Sequence, residues 1–240
     1  MFFALDLLEH RIPISDADKK NQYHCPCCKH DVIVKKGKVN AWHFAHEPGS
    51  DCDASFTEMT EWHKGWQERF PNECREVIVE DMTGYRRIAD VKINGITIEF
   101  QSKSIPKEVF DARNVHHLKA SDKVIWIFNC IDKAISTKRF DVDFNGNRTG
   151  NLWYSWSHPN RLLAKYKYRS WALIDKDNDT YYRNVDLYLD TGCSLIIRVL
   201  YIPDDNGNAG WFLGNTIKKS DFVNKLTEHY NEPQQIVMSI

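Results

Sequence analysis

The chain has 240 residues, 42% of them hydrophobic and 27% charged, a composition that excludes a mainly disordered or low-complexity protein. Its 32 Lys and Arg residues nearly balance 33 Asp and Glu and give a net charge of -1, so any nucleic-acid-binding surface must be a local patch. The N-terminal sequence lacks the basic region of a signal peptide, and no apolar run approaches the roughly 20 residues that span a bilayer. These features predict a soluble cytoplasmic protein.

A short strand and a polar segment come first in the chain, followed by a cluster of cysteines and histidines in residues 23–53. A Cys-x2-Cys turn can direct two thiolates at one ion, and a segment this small has little core of its own, so the pattern indicates zinc. Cys27 is the spare thiol, and His43 is the alternative to His46 as the histidine ligand. Four ligands leave no open position, which predicts a structural site. The predicted ligands are Cys25, Cys28, His46 and Cys52.

The rest of the chain alternates helix and strand patterns, which predicts an α+β fold with a mixed sheet. Ser55 to Glu58 has the form of a capping box and opens a helix that Pro71 ends. Val124 to Phe128 is continuously apolar, as expected of a strand that is buried on both faces and reached through a crossover helix. The predicted strands are 75–80, 86–93, 96–103, 124–128, 171–174, 181–189 and 194–202, and the predicted helices are 55–70, 104–118 and 220–230.

Two carboxylates flank a predicted hairpin. If Asn94-Gly95 is a two-residue turn, stepping outward along the strands brings Asp90 opposite Glu99. Directly opposed Cβ atoms are about 4.5–5.5 Å apart, close enough for both carboxylates to hold one Mg²⁺ or Mn²⁺ ion. Strand alternation adds Gln101 and Lys103 to the same face.

Two opposed like charges destabilise a half-buried sheet unless something neutralises them. The alternative to a metal site is a solvent-facing pair of strands bridged by Lys92 and Lys103. On the metal hypothesis, replacing Asp90 or Glu99 by Ala relieves repulsion, so we expect the metal-free variant to be at least as stable as the parent.

The hairpin, with its Asp and its Glu-x-Gln, resembles the active site of the PD-(D/E)xK nuclease superfamily in the glutamine-bearing form of the competence protein CoiA-like family. The resemblance covers about residues 23–130 and implies a restriction-endonuclease-like core in which Asp90 and Glu99 bind Mg²⁺. The motifs occur in the order Cys-Pro-x-Cys, Trp42-His43-Phe44-Ala45-His46, Trp62-His63, Arg87-Ile88-Ala89-Asp90, Ile98-Glu99-Phe100-Gln101, and then Glu108 and Arg113.

Further catalytic residues follow from the resemblance. Gln101 stands where many superfamily members have a lysine, so it could orient the attacking water but carries no charge, and Lys103 is the candidate for that charge. Members often add an acid from the preceding helix, for which Glu58 is preferred over Glu61 because Glu61 falls on the solvent side of the predicted helix. Glu58 has the capping box as its alternative role. His63 is expected to be a buried core histidine rather than a proton carrier.

Arg86 and Arg87, just before the hairpin, are candidate phosphate contacts, with surface salt bridges as the alternative. Residues 151–171 contain six aromatics, four Lys or Arg and no acid, a combination that suits single-stranded or distorted nucleic acid. Together these features predict that the protein has a surface that binds nucleic acid, with DNA as the expected partner.

Three units are expected: an N-terminal strand with the zinc-binding module in residues 1–54, a PD-(D/E)xK nuclease-like core in residues 55–135, and a β-rich extension in residues 136–240. The predicted activity is Mg²⁺-dependent hydrolysis of DNA phosphodiester bonds, in DNA uptake or recombination. The alternative is a zinc-containing protein that binds nucleic acid or a partner protein without cleaving it.

Overall fold

The structure is a computed structural model that describes residues 1–38, 40–47, 52, 60–156, 184–202, 210–228 and 230. Its described strands form two sheets. The N-terminal sheet contains β1 (Phe3–Leu5), β2 (Arg11–Pro13), β3 (Tyr23–His24), β4 (Asp31–Lys35) and β5 (His43–Ala45), in the order β2-β1-β3-β4-β5.

The main sheet comprises nine strands within the described ranges, in the order β10-β11-β14-β13-β12-β9-β8-β7-β6. They are β6 (Arg75–Glu80), β7 (Arg86–Ile93), β8 (Ile96–Gln101), β9 (Lys123–Asn129), β10 (Ile135–Val142), β11 (Arg148–Trp156), β12 (Val185–Asp190), β13 (Leu195–Tyr201) and β14 (Trp211–Lys218). The helices are α1 (Glu61–Gln67), α2 (Lys107–Leu118) and α3 (Lys219–Thr227), with a 3₁₀ turn at Asn72–Cys74.

Strand β9 forms the centre of the main sheet and pairs in parallel with both β8 and β12. Helix α2 connects β8 to β9, as a parallel crossover requires. Val124, Trp126 and Phe128 pack on one face of the sheet, and Ile125 and Ile127 pack on the other. The continuous apolar run is therefore buried on both faces, as the sequence predicts.

Helices cover both faces of the main sheet. Phe110 of α2 packs with Trp126, their ring centroids 4.6 Å apart. On the opposite face, Trp66 of α1 stacks on Phe100 with centroids 5.7 Å apart, and Phe222 of α3 joins the same core. Burial of each such side chain contributes about 1.5–3 kcal/mol to the free energy of folding, so the two faces hold the helices in place.

The N-terminal sheet has its own core, and this core includes residues of the main sheet. Ile88 of β7 belongs to it and Ile78 of β6 packs against it, among side chains such as Phe3 and Phe44. The buried Glu76 carboxylate accepts the backbone amides of Phe2 and Phe3 at 2.7 and 3.0 Å. The two sheets are therefore joined by apolar packing and by a buried carboxylate.

The structure confirms the α+β class and the mixed sheet, and β6 and β7 have the predicted bounds. A restriction-endonuclease-like arrangement stays a prediction. The predicted helix start is wrong, because α1 begins at Glu61 with the Thr60 hydroxyl accepting the His63 amide as its N-cap. The capping box Ser55–Glu58 and the predicted strand 171–174 lie outside the described residues.

Several strands have no counterpart in the predictions: β1 and β2 as a pair, β10, β11 and β14. Strands β10 to β14 continue the sheet that β6 to β9 form, although the predicted unit boundary after residue 135 stays a prediction. No helix of the described residues is both long and apolar enough to cross a bilayer.

Candidate metal centre and carboxylate site

A tight turn after β3 presents the first two thiols of the metal centre. The Cys25 amide donates to the His30 carbonyl at 2.8 Å, and Lys29 adopts a left-handed conformation with φ 63°. The Cys27 amide donates to Cys25 Sγ at 3.3 Å, a contact that favours the thiolate form of a ligand. Cys27 itself is buried in the module core and is not part of the cluster.

Four side chains converge at this turn. The ligand atoms of Cys25, Cys28, His46 and Cys52 all lie within 4.8 Å of one another. Cys25 Sγ is 3.8 Å from Cys52 Sγ, and Cys28 Sγ is 3.1 Å from His46 Nε2. The four predicted ligands thus come together and could hold a structural zinc ion. His43 does not belong to this set, and its Nδ1 lies 2.7 Å from the Ala41 carbonyl oxygen.

The electrostatics of the four side chains favour a cation. The hydrogen bond with Cys52, followed by burial, raises the pKa of Cys25 far above its ordinary value, because a second thiolate cannot form beside the first without compensation. Burial lowers the pKa of His46, so its imidazole is neutral and able to ligate a metal. Three thiols and one neutral imidazole are a donor set that suits Zn²⁺.

The hairpin of β7 and β8 has the predicted turn and the predicted register. Asn94 and Gly95 have φ values of 47° and 74°, as a type I′ turn requires, and Ile93 pairs with Ile96. Pairing continues to Val91 and Ile98 and stops there. The predicted direct pair of Asp90 with Glu99 therefore does not form.

Asp90 takes over the hydrogen bond of the interrupted ladder. Its Oδ2 accepts the Phe100 amide at 2.8 Å, and its Oδ1 lies 3.0 Å from His63 Nε2 and 3.4 Å from Gln67 Nε2 of α1. Burial raises the pKa of Asp90, but His63, the Phe100 amide and the charge of Arg113 outweigh it and hold the pKa below its ordinary value.

Glu99 is held by α2 instead of α1. Its side chain is 1% exposed, its Oε2 accepts Arg113 Nη1 at 2.8 Å, and its Oε1 lies 2.9 Å from His117 Nε2. Arg113 and His117 are four residues apart and so lie on one face of the helix. The partners of the two carboxylates are thus buried side chains of the helices. The alternative of a bridge by Lys92 is wrong, because Lys92 Nζ donates to the Ala120 carbonyl.

Buried polar atoms without a hydrogen-bond partner concentrate around this pair of carboxylates. In a folded protein such atoms are uncommon and call for an explanation such as a bound ion, a water or a catalytic role. The contact of His117 with Glu99 is close but lacks hydrogen-bond alignment. In the described part of the site, the atoms concerned are His63 Nδ1, Gln67 Oε1, Glu99 Oε1, and both ring nitrogens of His117.

The other predicted residues are more peripheral. Gln101 Nε2 donates to the Lys103 carbonyl at 2.6 Å. Arg86 Nε pairs with Glu80 at 2.7 Å on an exposed surface, and the Arg87 guanidinium lies 5.3 Å from the centre of the Tyr85 ring. Glu58 and residues 157–171 lie outside the described residues, so their predicted roles stay predictions.

Sequence reasoning missed most partners of the carboxylates. The sequence patterns do not single out His117 or Gln67, and they include Arg113 only as a motif residue. A signal was present in the spacing, because His63 with Gln67 and Arg113 with His117 are i, i+4 pairs of polar residues on helices that pack against a sheet. Polar side chains at such positions are buried only when a buried partner compensates for their lost contact with water. Here those partners are the carboxylates of Asp90 and Glu99.

Comparison with known families gives one match. Residues 9–55 match the family model described as Competence protein CoiA, N-terminal domain. The matched segment is about a fifth of the chain and contains the four members of the cysteine-histidine cluster. No curated protein and no solved structure matches the chain significantly. The match therefore supports a CoiA-like N-terminal segment, and it does not reach the hairpin that holds Asp90 and Glu99.

Proposed function

We propose that the protein is a metal-dependent nuclease that hydrolyses DNA phosphodiester bonds, with Asp90 and Glu99 as its metal-binding carboxylates. The match of residues 9–55 to a competence protein domain supports a competence-related role, such as DNA uptake or recombination. The zinc-binding module is its structural part, and the β7–β8 hairpin is its reactive part.

The observation that carries the proposal is the interruption of the sheet at Asp90. A strand pair gives up backbone hydrogen bonds only where something replaces them, and here a buried carboxylate accepts the Phe100 amide. The pair that would follow Val91 and Ile98 in the ladder is Asp90 with Glu99. Buried polar atoms without a hydrogen-bond partner surround the side chains of these two residues. Buried titratable groups gathered in this way, among them a carboxyl group with a shifted pKa, are typical of functional sites.

The donor chemistry suits Mg²⁺ or Mn²⁺, which prefer carboxylate oxygens. Each carboxylate keeps one oxygen that faces a histidine instead of a backbone or guanidinium donor: Asp90 Oδ1 faces His63 and Glu99 Oε1 faces His117. These are the oxygens that a cation would take, and when bound it would polarise the phosphate and lower the pKa of a water. Within the described residues, neither carboxylate belongs to a group of three or more His, Cys, Asp or Glu side chains whose ligand atoms converge on one point.

The remaining catalytic assignments follow from the resemblance to the nuclease superfamily. Gln101 would have to release the Lys103 carbonyl in order to orient a water molecule. Arg113 contacts Glu99, and its positive charge lowers the pKa of Asp90. Glu58 is proposed as the third acid and Lys103 as the supplementary positive charge.

The second candidate is a nucleic-acid-binding protein that does not cleave. The observation in its favour is the burial of the two carboxylates, whose side chains are 12% and 1% exposed and already paired with His63, Arg113 and His117. On this hypothesis the pairs are structural, and the buried charges only hold the hairpin between α1 and α2.

A cleavage assay separates the two candidates. Labelled single-stranded and double-stranded DNA and RNA are incubated with the protein in Mg²⁺, in Mn²⁺ and without added metal. We expect metal-dependent cleavage of DNA that Asp90→Asn and Glu99→Gln each reduce by a factor of about 100 or more, because each removes one metal-binding oxygen.

Asp132→Asn, at an exposed carboxylate, is the matched control and should cut as the parent does. Circular dichroism spectra establish that each variant is folded. Absence of cleavage by the folded parent under every metal condition would exclude the nuclease and favour the binding protein. Full cleavage by the folded Asp90→Asn variant would exclude Asp90 as a metal-binding carboxylate.

A further inference from the structure

A basic groove lies on the N-terminal module, along β4, β5 and the loop that joins them. It has a volume of about 620 Å³, and no Asp or Glu lines it. The polar residues that line it are Lys19, Lys35, Lys36, Lys38, Asn40 and His43. In a chain whose net charge is -1, a groove lined by four lysines is a local concentration of positive charge.

Three of these lysines are available to a ligand. The side chains of Lys19, Lys35 and Lys38 are exposed, and within the described residues they form no ion pair or hydrogen bond. Another exposed lysine of the same module, Lys29, differs from them in that it pairs with Glu9. Unpaired lysines that share one concave surface repel one another, so an anion that lies among them lowers their free energy.

The fourth lysine shapes the groove. Lys36 Nζ donates to the carbonyls of Ser15 and Ala17 at 3.0 and 2.7 Å, which fixes its side chain across the module. The same ammonium lies 5.0 Å from the centre of the Trp42 ring. Burial, followed by the positive charges of the N-terminus and of Lys35, lowers the pKa of His43.

Trp42 adds an aromatic surface beside the lysines. Its indole is 47% exposed, and its Nε1 donates to the Gly37 carbonyl at 3.1 Å, so the ring is held at the loop that carries Lys36 and Lys38. Lysines that contact phosphates, next to an exposed aromatic ring that can stack on a base, are the combination by which single strands are bound. Base pairs of a duplex are stacked on each other and offer no free face to such a ring.

We propose that this groove binds single-stranded nucleic acid, with Lys19, Lys35 and Lys38 on the phosphates and Trp42 stacked on a base. A flat membrane surface fits a concave groove poorly, and inorganic polyphosphate has no base for Trp42. The inference rests on the nucleic-acid substrate of the proposed function but not on its cleavage chemistry. The groove would guide a strand along the zinc-binding module.

The test is a binding titration with no added divalent metal and no chelator, so that cleavage does not occur and zinc is not removed. Fluorescence anisotropy of a labelled single-stranded oligonucleotide is measured at several salt concentrations. For Lys35→Ala/Lys38→Ala we expect binding roughly ten times weaker, and a salt dependence of log K that is shallower by about 0.7 for each phosphate that a lysine no longer neutralises. The matched control is Lys20→Ala/Lys133→Ala, at two exposed lysines outside the groove, and it should bind as the parent does.

Trp42→Ala distinguishes the classes of ligand. It should weaken oligonucleotide binding roughly tenfold, as loss of one stacked base predicts, and leave binding of inorganic polyphosphate unchanged. Zinc content and circular dichroism establish that the variants are folded. The inference is overturned if Lys35→Ala/Lys38→Ala binds the oligonucleotide as tightly as the parent does. It is also overturned if the parent binds polyphosphate or anionic vesicles as tightly as the oligonucleotide and Trp42→Ala changes none of these affinities. If the parent binds the oligonucleotide through the lysines but cleaves no substrate, this inference stands and the proposed nuclease activity is excluded.

Discussion

Asp90 and Glu99 illustrate how the immediate partners of a buried charge decide its role. From the sequence alone the two side chains are opposed like charges that would repel each other. In the structure Glu99 is paired with Arg113, and Asp90 lies against His63 and accepts a backbone amide. These contacts argue against the expected relief of repulsion on removing one of them, because each carboxylate compensates a buried donor.

Glu99→Ala should lower the free energy of unfolding by about 3–5 kcal/mol. The substitution leaves the Arg113 guanidinium buried without its carboxylate, and uncompensated buried charges carry a cost of this size. Urea unfolding at neutral pH measures the change, and Asp132→Ala at an exposed site should change the free energy by no more than about 0.5 kcal/mol. Equal stability of Glu99→Ala and the parent would mean that Arg113 reaches solvent and that the pair is loosely held.

The residues that the sequence predicted correctly are those whose chemistry is local. Cys25 and Cys28 share one turn, and His46 and Cys52 follow within the same short segment, so spacing and ligand type were sufficient. The partners of Asp190 could not be found in this way. Trp62 and Trp66 are 128 and 124 residues away from it in the chain, and only the folded sheet brings them together.

At the scale of the elements, Asp190 holds two helices to the end of β12. Its Oδ2 accepts the indole N–H groups of Trp62 and Trp66 at 2.9 and 2.8 Å, and its Oδ1 pairs with Lys219 of α3 at 2.7 Å. The Gly192 amide also donates to Oδ1, at 2.8 Å. Burial raises the pKa of Asp190, but Lys219 and the other donors outweigh burial, and the net pKa lies below the ordinary value.

This arrangement predicts a pH dependence. A carboxyl whose pKa is lower in the folded state than in the unfolded state stabilises the fold above the unfolded value of about 4, and the contribution is lost as the pH falls through the folded value. Asp190→Asn should therefore be less stable than the parent at pH 7, by about 3 kcal/mol because Lys219 loses its counter-charge. Below pH 4 the difference in the free energy of unfolding between Asp190→Asn and the parent should become smaller. Urea unfolding across this pH range measures it, and parallel curves for the two proteins would contradict the role of Asp190.

The strands that the sequence predicted have strong local patterns, and those it missed do not. The β7–β8 hairpin has its Asn-Gly turn and alternating residues, and β9 is continuously apolar. Strand β10 lies at the edge of the sheet and is mostly exposed, so its residues carry no buried face for a pattern to reveal. Strand β14 contains Gly214, where a Cβ would lie 2.7 Å from the Arg198 carbonyl oxygen, and glycine inside a strand weakens the pattern.

At the scale of the whole molecule, the N-terminal module and the main sheet are one packed unit. Glu76 sits opposite the interrupted part of β7 with a φ of 46°, an unfavourable conformation for a residue other than glycine, and its carboxylate binds the amides at the start of β1. Ile78 and Ile88 extend the module core into β6 and β7. The module is therefore fixed next to the strand that carries Asp90.

This packing determines how zinc should affect the protein. We expect about one zinc ion per chain, retained in Cys27→Ser and lost in Cys25→Ser and Cys52→Ser, because only the last two remove a ligand. Since binding of a structural metal contributes directly to folding, loss of zinc should lower the melting temperature. The module core contains Ile88 of the main sheet, so the main sheet should be destabilised with it.

Elemental analysis and calorimetry test both parts of this expectation. The parent should unfold in one transition that moves to lower temperature in Cys25→Ser, while Cys27→Ser, a change at a buried thiol outside the cluster, should keep its zinc and lose less stability. Two separate transitions, with only the lower one sensitive to zinc, would show that the module folds independently of the sheet. In that case Glu76 and Ile88 would form a contact without energetic coupling, and loss of zinc would leave the carboxylate hairpin intact.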